Sequence, residues 1–412
     1  MEIDLPKNWE IVKISKVGEL LRGVNYKKEE AVNEPKDGYV PVLRGNNING
    51  DLNFDDLVYV LQKNVSTQQI VKANDIVFAM SSGSKHLVGK SAKAKADFNG
   101  SFGAFCGLLR PNDNVNKSYL AYFFKSSYYK KYISEISKGT NINNLKREHI
   151  LDLEFPLAPD QEQNQIVEKI EELFSELDKG IENLKTAQQQ LKVYRQAVLK
   201  WAFVNDTFKE YIANDITEKI QIGPFGTQLH KEDYIENGIP LINPTHIKDG
   251  LIVSDKSFTI LESKRESLPN YILKEGDVIM GRRGEMARCG LVSKKEAGWF
   301  CGTGSLYFRP NLKLVDPVFL YHNLRSEPVK KYLEENAGGT TMANLNLKIV
   351  NNIPISIPSI EQQKAIVLEI ESRLSVCDKM EETISTSLQQ AEALRQSILK
   401  RAFEGKLVKE II

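Results

Sequence analysis

Arg195-Gln196-Ala197-Val198-Leu199-Lys200-Trp201-Ala202-Phe203 returns later in the chain as Arg395-Gln396-Ser397-Ile398-Leu399-Lys400-Arg401-Ala402-Phe403. Extended backwards without gaps, 163–203 and 363–403 agree at 18 of 41 positions, among them Ile166-Val167 with Ile366-Val367 and Asp178-Lys179 with Asp378-Lys379. The register holds further upstream. Lys130-Lys131-Tyr132 matches Lys330-Lys331-Tyr332, and Gly139-Thr140 with Asn144-Leu145 matches Gly339-Thr340 with Asn344-Leu345. Before that the halves drift and agree only in pattern: Asn74-Asp75-Ile76-Val77 echoes Gly276-Asp277-Val278-Ile279, and Arg110-Pro111-Asn112 echoes Arg309-Pro310-Asn311. A divergent domain followed by a similar segment therefore occurs twice.

The similar segments are helices by their periodicity. Ile166, Ile170, Leu173, Leu177, Ile181 and Leu184 in the first, and Ile366, Ile370, Leu374 and Cys377 in the second, recur at spacings of three and four. Neither segment contains proline, and only Gly180 interrupts the first. Some 40 residues at 1.5 Å each make a helix about 60 Å long. With a single apolar seam, each needs a partner of equal length. The other copy is the expected partner, in an antiparallel pair that places the globular domains at opposite ends about a pseudo-two-fold axis. A parallel or intermolecular coiled coil is the alternative.

The globular parts read as mixed α and β. Val40–Leu43, Ile76–Ala79, Val278–Met280 and Leu306–Phe308 are short apolar runs bounded by Gly, Asn or Asp, as strands are. Tyr119–Ile136 and Phe319–Glu335 read as helices, and proline-marked segments at 155–159 and 353–358 lead into the long helices. The fold class is α+β, two mixed α/β domains joined by two long antiparallel coiled-coil helices in an internal repeat. The expected division is 1–155 and 206–355 for the globular domains, with 156–205 and 356–412 for the helices.

The net charge of +1 argues against a simple polyanion binder, but the average conceals local bias. Residues 63–147 hold 14 basic and 4 acidic side chains, and 264–348 hold 14 and 9, while the first long helix carries compensating acid. A positive face on each domain is expected. The four cysteines are scattered and read as reduced structural thiols, and the five histidines show no metal-ligand spacing. No stretch approaches the ~20 apolar residues of a membrane span. The start of the chain has no apolar signal region, so a cytoplasmic location is expected.

Catalytic motifs fail on inspection. Gly89-Lys90-Ser91 resembles the end of a phosphate-cradling loop, but five residues separate Gly83 from Gly89 where that loop needs four. The second half keeps a glycine pair, Gly284 and Gly290, followed by Leu291-Val292, so the pair reads as shared turn architecture. No Asp/Asn-Pro-Pro-aromatic tetrapeptide and no glycine-rich adenosylmethionine turn occurs, and the chain reads as non-catalytic.

Recognition chemistry remains. Ser82, Lys85 and Lys90 surround the first glycine turn; Arg282, Arg283 and Arg288 surround the second. Lys138, Thr140 and Asn141 follow the basic helix of the first half, Thr340 and Thr341 that of the second. A third loop, Arg44-Gly45-Asn46-Asn47, corresponds to Asn243-Pro244-Thr245-His246, adding Arg44, Asn46 and Thr245. Small turns flanked by hydroxyl and basic groups can approach a phosphate backbone, and Arg can pair bidentately with guanine. Plain turn chemistry is the competing reading for the Gly, Thr and Asn.

Together these features resemble the specificity subunit of type I restriction–modification systems over essentially the whole chain. The most specific elements are Pro156-Leu157-Ala158-Pro159-Asp160-Gln161-Glu162-Gln163 with Ile357-Pro358-Ser359-Ile360-Glu361-Gln362-Gln363, and the repeated string quoted first, continued by Glu404-Gly405-Lys406-Leu407. Ile222-Gly223-Pro224-Phe225-Gly226-Thr227 and Gly338–Leu345 resemble target-recognition strings; the first half departs from them with Leu21-Arg22-Gly23-Val24 and with Asn141-Ile142. The resemblance implies two target-recognition domains, each reading half of a bipartite asymmetric site in double-stranded DNA. It implies helices that set the spacing and dock two methyltransferase subunits, and further motor-nuclease restriction subunits. It implies no cofactor on this chain, with adenosylmethionine, ATP and Mg on the partners. A coiled-coil scaffold that never reads DNA is the competing class.

Overall fold

The computed structural model describes residues 5–84, 87–139, 144–203, 208–226, 228–337 and 344–408. Its contacts divide the chain into two units, one of residues 1–184 with 386–412 and the other of 185–385, so each division falls inside a long helix. Those helices run Asp160–Phe203 and Ile360–Phe403, 44 residues apiece.

In the first unit a four-stranded antiparallel sheet has the order Gly18–Arg22, Cys106–Pro111, Ile76–Ala79, Ser91–Lys93. The continuous apolar run Ile76–Ala79 is buried along its length, as a strand covered on both faces must be. A second sheet sets Tyr39–Leu43 between Val58–Leu61 and Ser101–Phe102. The second unit repeats the plan with Thr217–Ile222, Ser305–Pro310, Val278–Gly281 and Cys289–Leu291. The echoes seen in the sequence are structural. Asp75 and Asp277 are buried, each clasped through two nitrogens by Arg110 (2.6 and 2.9 Å) or Arg309 (2.7 and 2.8 Å). The residue before each aspartate, Asn74 or Gly276, is left-handed with φ of 70° or 85°, a conformation open to Asn and Gly.

Each single helix expected after the sheet is two. Lys117–Phe123 is followed by Ser127–Gly139, and Pro317–Leu324 by Glu327–Asn336. Buried Ser126 and Ser326 mark the breaks. Ser126 Oγ accepts the Tyr129 N–H (3.4 Å), and in the second copy Pro328 would leave a helix interior short of a donor.

Each long helix is tied at its start to the domain that precedes it through a buried glutamine. Gln163 Oε1 accepts the Asn116 N–H (2.7 Å) while its amide donates to Ala158 O (2.7 Å). Gln363 repeats this with the Asp316 N–H (2.8 Å), Leu314 O (2.9 Å) and Pro358 O (3.0 Å). Within the first unit, Ile398, Leu399, Ala402 and Phe403 enter one core with Ile166, Ile170 and Phe174, so the two helix segments run antiparallel. Phe403 stacks against Tyr119 and Phe123 at 5.0 and 5.4 Å, and Arg395 pairs with Asp178. Within the second unit, Val198, Ala202 and Phe203 meet Val367 and Ile370, and Arg195 pairs with Asp378 at 2.6 Å. The chain thus closes the core of its first domain with its last helical turns. After them Gly405, at φ 67°, packs so tightly on Pro6 that a Cβ would lie 2.3 Å from its ring.

Two predictions follow from this packing. Phe403→Ala should cost about 3–5 kcal/mol in urea unfolding, whereas Leu394→Ala, at a side chain 52% exposed, should stay within about 0.5 kcal/mol. His322, buried in the helix Pro317–Leu324, is held down to about 4 from its usual 6.5 by burial and by Arg325. Because the folded value is depressed, its contribution is complete above pH 6.5 and lost as pH falls toward 4. It amounts to ~3 kcal/mol at most. His322→Gln should therefore lose less stability than the parent between pH 7 and 4.5, measured as urea midpoints.

Candidate nucleic-acid interface

Three loops meet at one end of each domain's sheet. The first follows Tyr39–Leu43 or Ile239–Ile242 and forms a short 3₁₀ turn, Gly45–Asn47 or Pro244–His246. The turns close alike: Asn47 Oδ1 accepts the Arg44 N–H (2.9 Å), and His246 Nδ1 accepts the Asn243 N–H (3.1 Å). Burial holds the His246 imidazole below its usual value, favouring the neutral acceptor.

The second loop is the hairpin end. Ala79 N–H donates to Lys90 O, and Gly281 N–H to Arg288 O, both at 2.9 Å. Lys90 and Arg288 therefore occupy one position, and the intervening turns are 80–89 in the first domain and 282–287 in the second. This register corrects the glycine pairing read from the sequence. Gly290 lies in a strand opposite Ile279, and the counterpart of left-handed Gly89 (φ 83°) is Ala287 (φ 60°). By the same ladder Ser81 stands where Arg283 does.

The third loop re-enters beside the hairpin. Asn144 bridges Ser81 and Asn344 bridges Arg283, while Leu145 N–H donates to Met80 O (2.6 Å) and Leu345 N–H to Arg282 O (3.0 Å). The shared Asn-Leu pair is thus the clamp that holds this loop against the hairpin. Lys90 Nζ reaches Asn49 Oδ1 (3.0 Å) and Arg288 reaches Pro244 O (3.3 Å), tying the first loop to the same cluster.

The candidate residues differ in what they still have to offer. Arg44 is paired with Asp56 (3.0 Å), Asn46 also donates to Asp56 (3.3 Å), and Arg288 is paired with Glu285 (2.7 Å). Those side chains chiefly shape the loops. Ser82 accepts the Ser84 N–H (3.1 Å), and Thr245 and Arg283 are exposed. Arg282 is buried, its Nε donating to Asn344 Oδ1 (3.1 Å); burial and neighbouring Arg283 hold its pKa below the ordinary value. Lys138 falls in the last turn of its helix, while Lys85, Thr140, Asn141, Thr340 and Thr341 lie outside the described residues.

Two rings went unread as contacts. Phe105 is 72% exposed in a turn whose carbonyl accepts both Met80 and Ser81 N–H groups. Phe225 is 62% exposed just after Gly223, which bonds to Ser305 O (2.9 Å). A phenylalanine in a glycine-bounded loop, outside any apolar period, is the signal that could have found them. In the first unit a groove of about 1340 Å³ also runs from Lys90 past Lys93, Lys95 and Lys125 to Glu171 and Asp178 of the long helix. Burial holds Lys93 and Lys125 below their usual range. Leu291 stands where Lys93 does, opposite the equivalent strand residue. The first cluster thus offers the point cation of Lys90 and the second the forks of Arg282 and Arg283, each with an exposed phenylalanine ring, groups suited to phosphates and base edges.

Comparison with known proteins agrees with this geometry. Residues 6–186 and 205–390 each match the type I restriction modification DNA specificity domain. The chain belongs to that family. Its function is that of a type I specificity subunit, a DNA-recognition component. It is 33% identical to the type I restriction enzyme EcoKI specificity subunit of Escherichia coli K12, over 98% of this chain and 90% of that one. It is also 33% identical to the StySPI specificity subunit of Salmonella potsdam, with the same coverage. The fold matches a chain from a structure concerned with complex assembly and conformational transition of the type I R-M system (TM-score 0.76, 18% identity, 98% and 99% covered). It also matches the HsdS subunit of Thermoanaerobacter tengcongensis (TM-score 0.57, 18% identity, 98% of each chain). Among the described residues no helix is long and apolar enough to cross a membrane.

Proposed function

We propose that each loop cluster of this specificity subunit reads one half of a bipartite, asymmetric DNA site, residues 1–155 and 206–355 being the two target-recognition domains. The long helices, 156–205 and 356–412, set the spacing between the half-sites and dock two methyltransferase subunits, and motor-nuclease subunits join the assembly. The chain itself is non-catalytic, and adenosylmethionine, ATP and Mg belong to the partners.

The observation that carries this reading is where the two copies differ. Positions that bond the loops together are shared: Asn144 with Asn344, Leu145 with Leu345, Gly23 with Gly223. Neighbouring positions in the same loops are not. Met80 stands against Arg282, Ser81 against Arg283, and Phe105 against Gly304. Loops with a common frame and unlike side chains suit two readers of unlike sequence. A coiled-coil scaffold that never meets DNA has no use for that pattern, and the family sets it aside.

Methylome sequencing of a host expressing this chain with its methyltransferase should return a bipartite motif with one adenine marked on each strand. Exchanging residues 206–352 for another recognition domain should alter one half-motif; a change in both would refute the modular reading. Lys90 and Arg283, paired with no carboxylate among the described residues, are expected to act through phosphates. Lys90→Ala and Arg283→Ala should weaken binding to all duplexes alike and lower the slope of log K against log salt by about one each. Titration of the assembled methyltransferase at several salt concentrations reads this directly.

A further inference from the structure

Arg282 is the only arginine among the described residues that is buried, at 8% exposure. Two half-buried arginines of the sheets meet carboxylates instead, Arg110 on Asp75 and Arg309 on Asp277. No carboxylate among the described residues lies within ion-pair distance of Arg282, and the segment 338–343 leading into Asn344 contains no acid. A guanidinium largely withdrawn from water, with no carboxylate beside it among the described residues, is costly to the fold. Such a cost is tolerated where the group serves a ligand.

The position is held from three sides. Arg282 N–H donates to Gly304 O (3.0 Å), its carbonyl accepts Leu345 N–H (3.0 Å), and Nε–H is taken by Asn344 Oδ1 (3.1 Å). Of five guanidinium donors, the four on the terminal nitrogens find no acceptor among the described residues. The group is a fork held at Nε by a neutral amide, which positions the cation without neutralising it. In DNA such a fork matches O6 and N7 of guanine across the major groove. The first domain has no equivalent: Met80 occupies the place, bonded to Phe105 O (2.9 Å) and to Leu145 N–H (2.6 Å), beside the exposed Phe105 ring.

We propose that Arg282, oriented by Asn344, reads a guanine in the half-site of the second domain, and that Met80 makes no such demand in the half-site of the first. The inference rests on the reading of each domain as a DNA reader and names one base contact within it.

The test uses the chain assembled with its methyltransferase subunits and duplexes carrying its methylation motif. Each guanine of one half-site is replaced in turn by 7-deazaguanine, which removes N7 and leaves pairing intact. One position in the second domain's half-site should lose roughly 10–100-fold in affinity, the range of a good bidentate pair. In Arg282→Met that same replacement should have no effect, while specificity for the other half-site stays unchanged. Arg282→Lys should keep affinity for DNA in general yet lose preference at that position. If no single guanine is sensitive in the wild-type complex, the contact does not exist, and this holds even if the variants fail to assemble. Equal loss on all duplexes in Arg282→Met, restored by Arg282→Lys, would make the residue a phosphate contact and overturn the proposal. A wild-type complex with no sequence preference at all would instead refute the reading of the domains themselves.

Discussion

The burial of Phe403 among Tyr119, Phe123 and the rest of the first domain's core is the contact on which the architecture turns. A 44-residue helix with one apolar seam gains little from its own hydrogen bonds and must find packing along its length. Here its end is not a frayed tip but a core element of a domain formed some 240 residues earlier in the chain. The first domain is consequently incomplete until the last helix has been made and has returned to it. The second domain has no such dependence, because Phe203, which packs on Phe319, immediately precedes it. One fold executed twice thus has a local closure in one copy and a long-range closure in the other.

Charge is distributed by the same economy. The buried aspartates, Asp75 and Asp277, meet arginines bidentately and also accept backbone N–H groups of Lys72 and Lys274 at 2.7 Å. Desolvation there is offset by complete pairing. Along the helices Arg195 meets Asp378 and Arg395 meets Asp178, the same two residue types with their roles exchanged between the copies. Arg282 has no such counter-charge among the described residues, and it lies in the loop cluster rather than in the sheets or long helices. Chemistry committed to the fold and chemistry available to a ligand are separable in this way.

Pairing also explains why several residue types suited to DNA are occupied. Arg44 and Arg288 look equivalent to Arg283 as letters, yet the first two hold Asp56 and Glu285 across their own loops. Their cations stiffen the turns that display the remaining groups. Divergence between the copies then acts on a fixed frame. Met80 and Phe105 stand in one domain where Arg282 and Gly304 stand in the other. Gly304 admits no side chain there, since a Cβ would come within 2.9 Å of Pro244.

The sequence by itself determined the repeat, the long helices and the echoes at Asp75 and Asp277, because periodicity and turn preferences are local properties written in neighbouring residues. It also brought out the strings at Gln163 and Gln363, though not their reason, which is a buried amide joining helix to domain. The broken helices escaped it, since Ser126 stops a helix only in a particular buried setting. Loop register escaped it as well. Gly290 looks like the partner of Gly89, and only the ladder shows that Ala287 holds that place. Tertiary structure alone decided which cations are spent on carboxylates and which are held ready, because an ion pair depends on distance and burial between loops far apart in the chain.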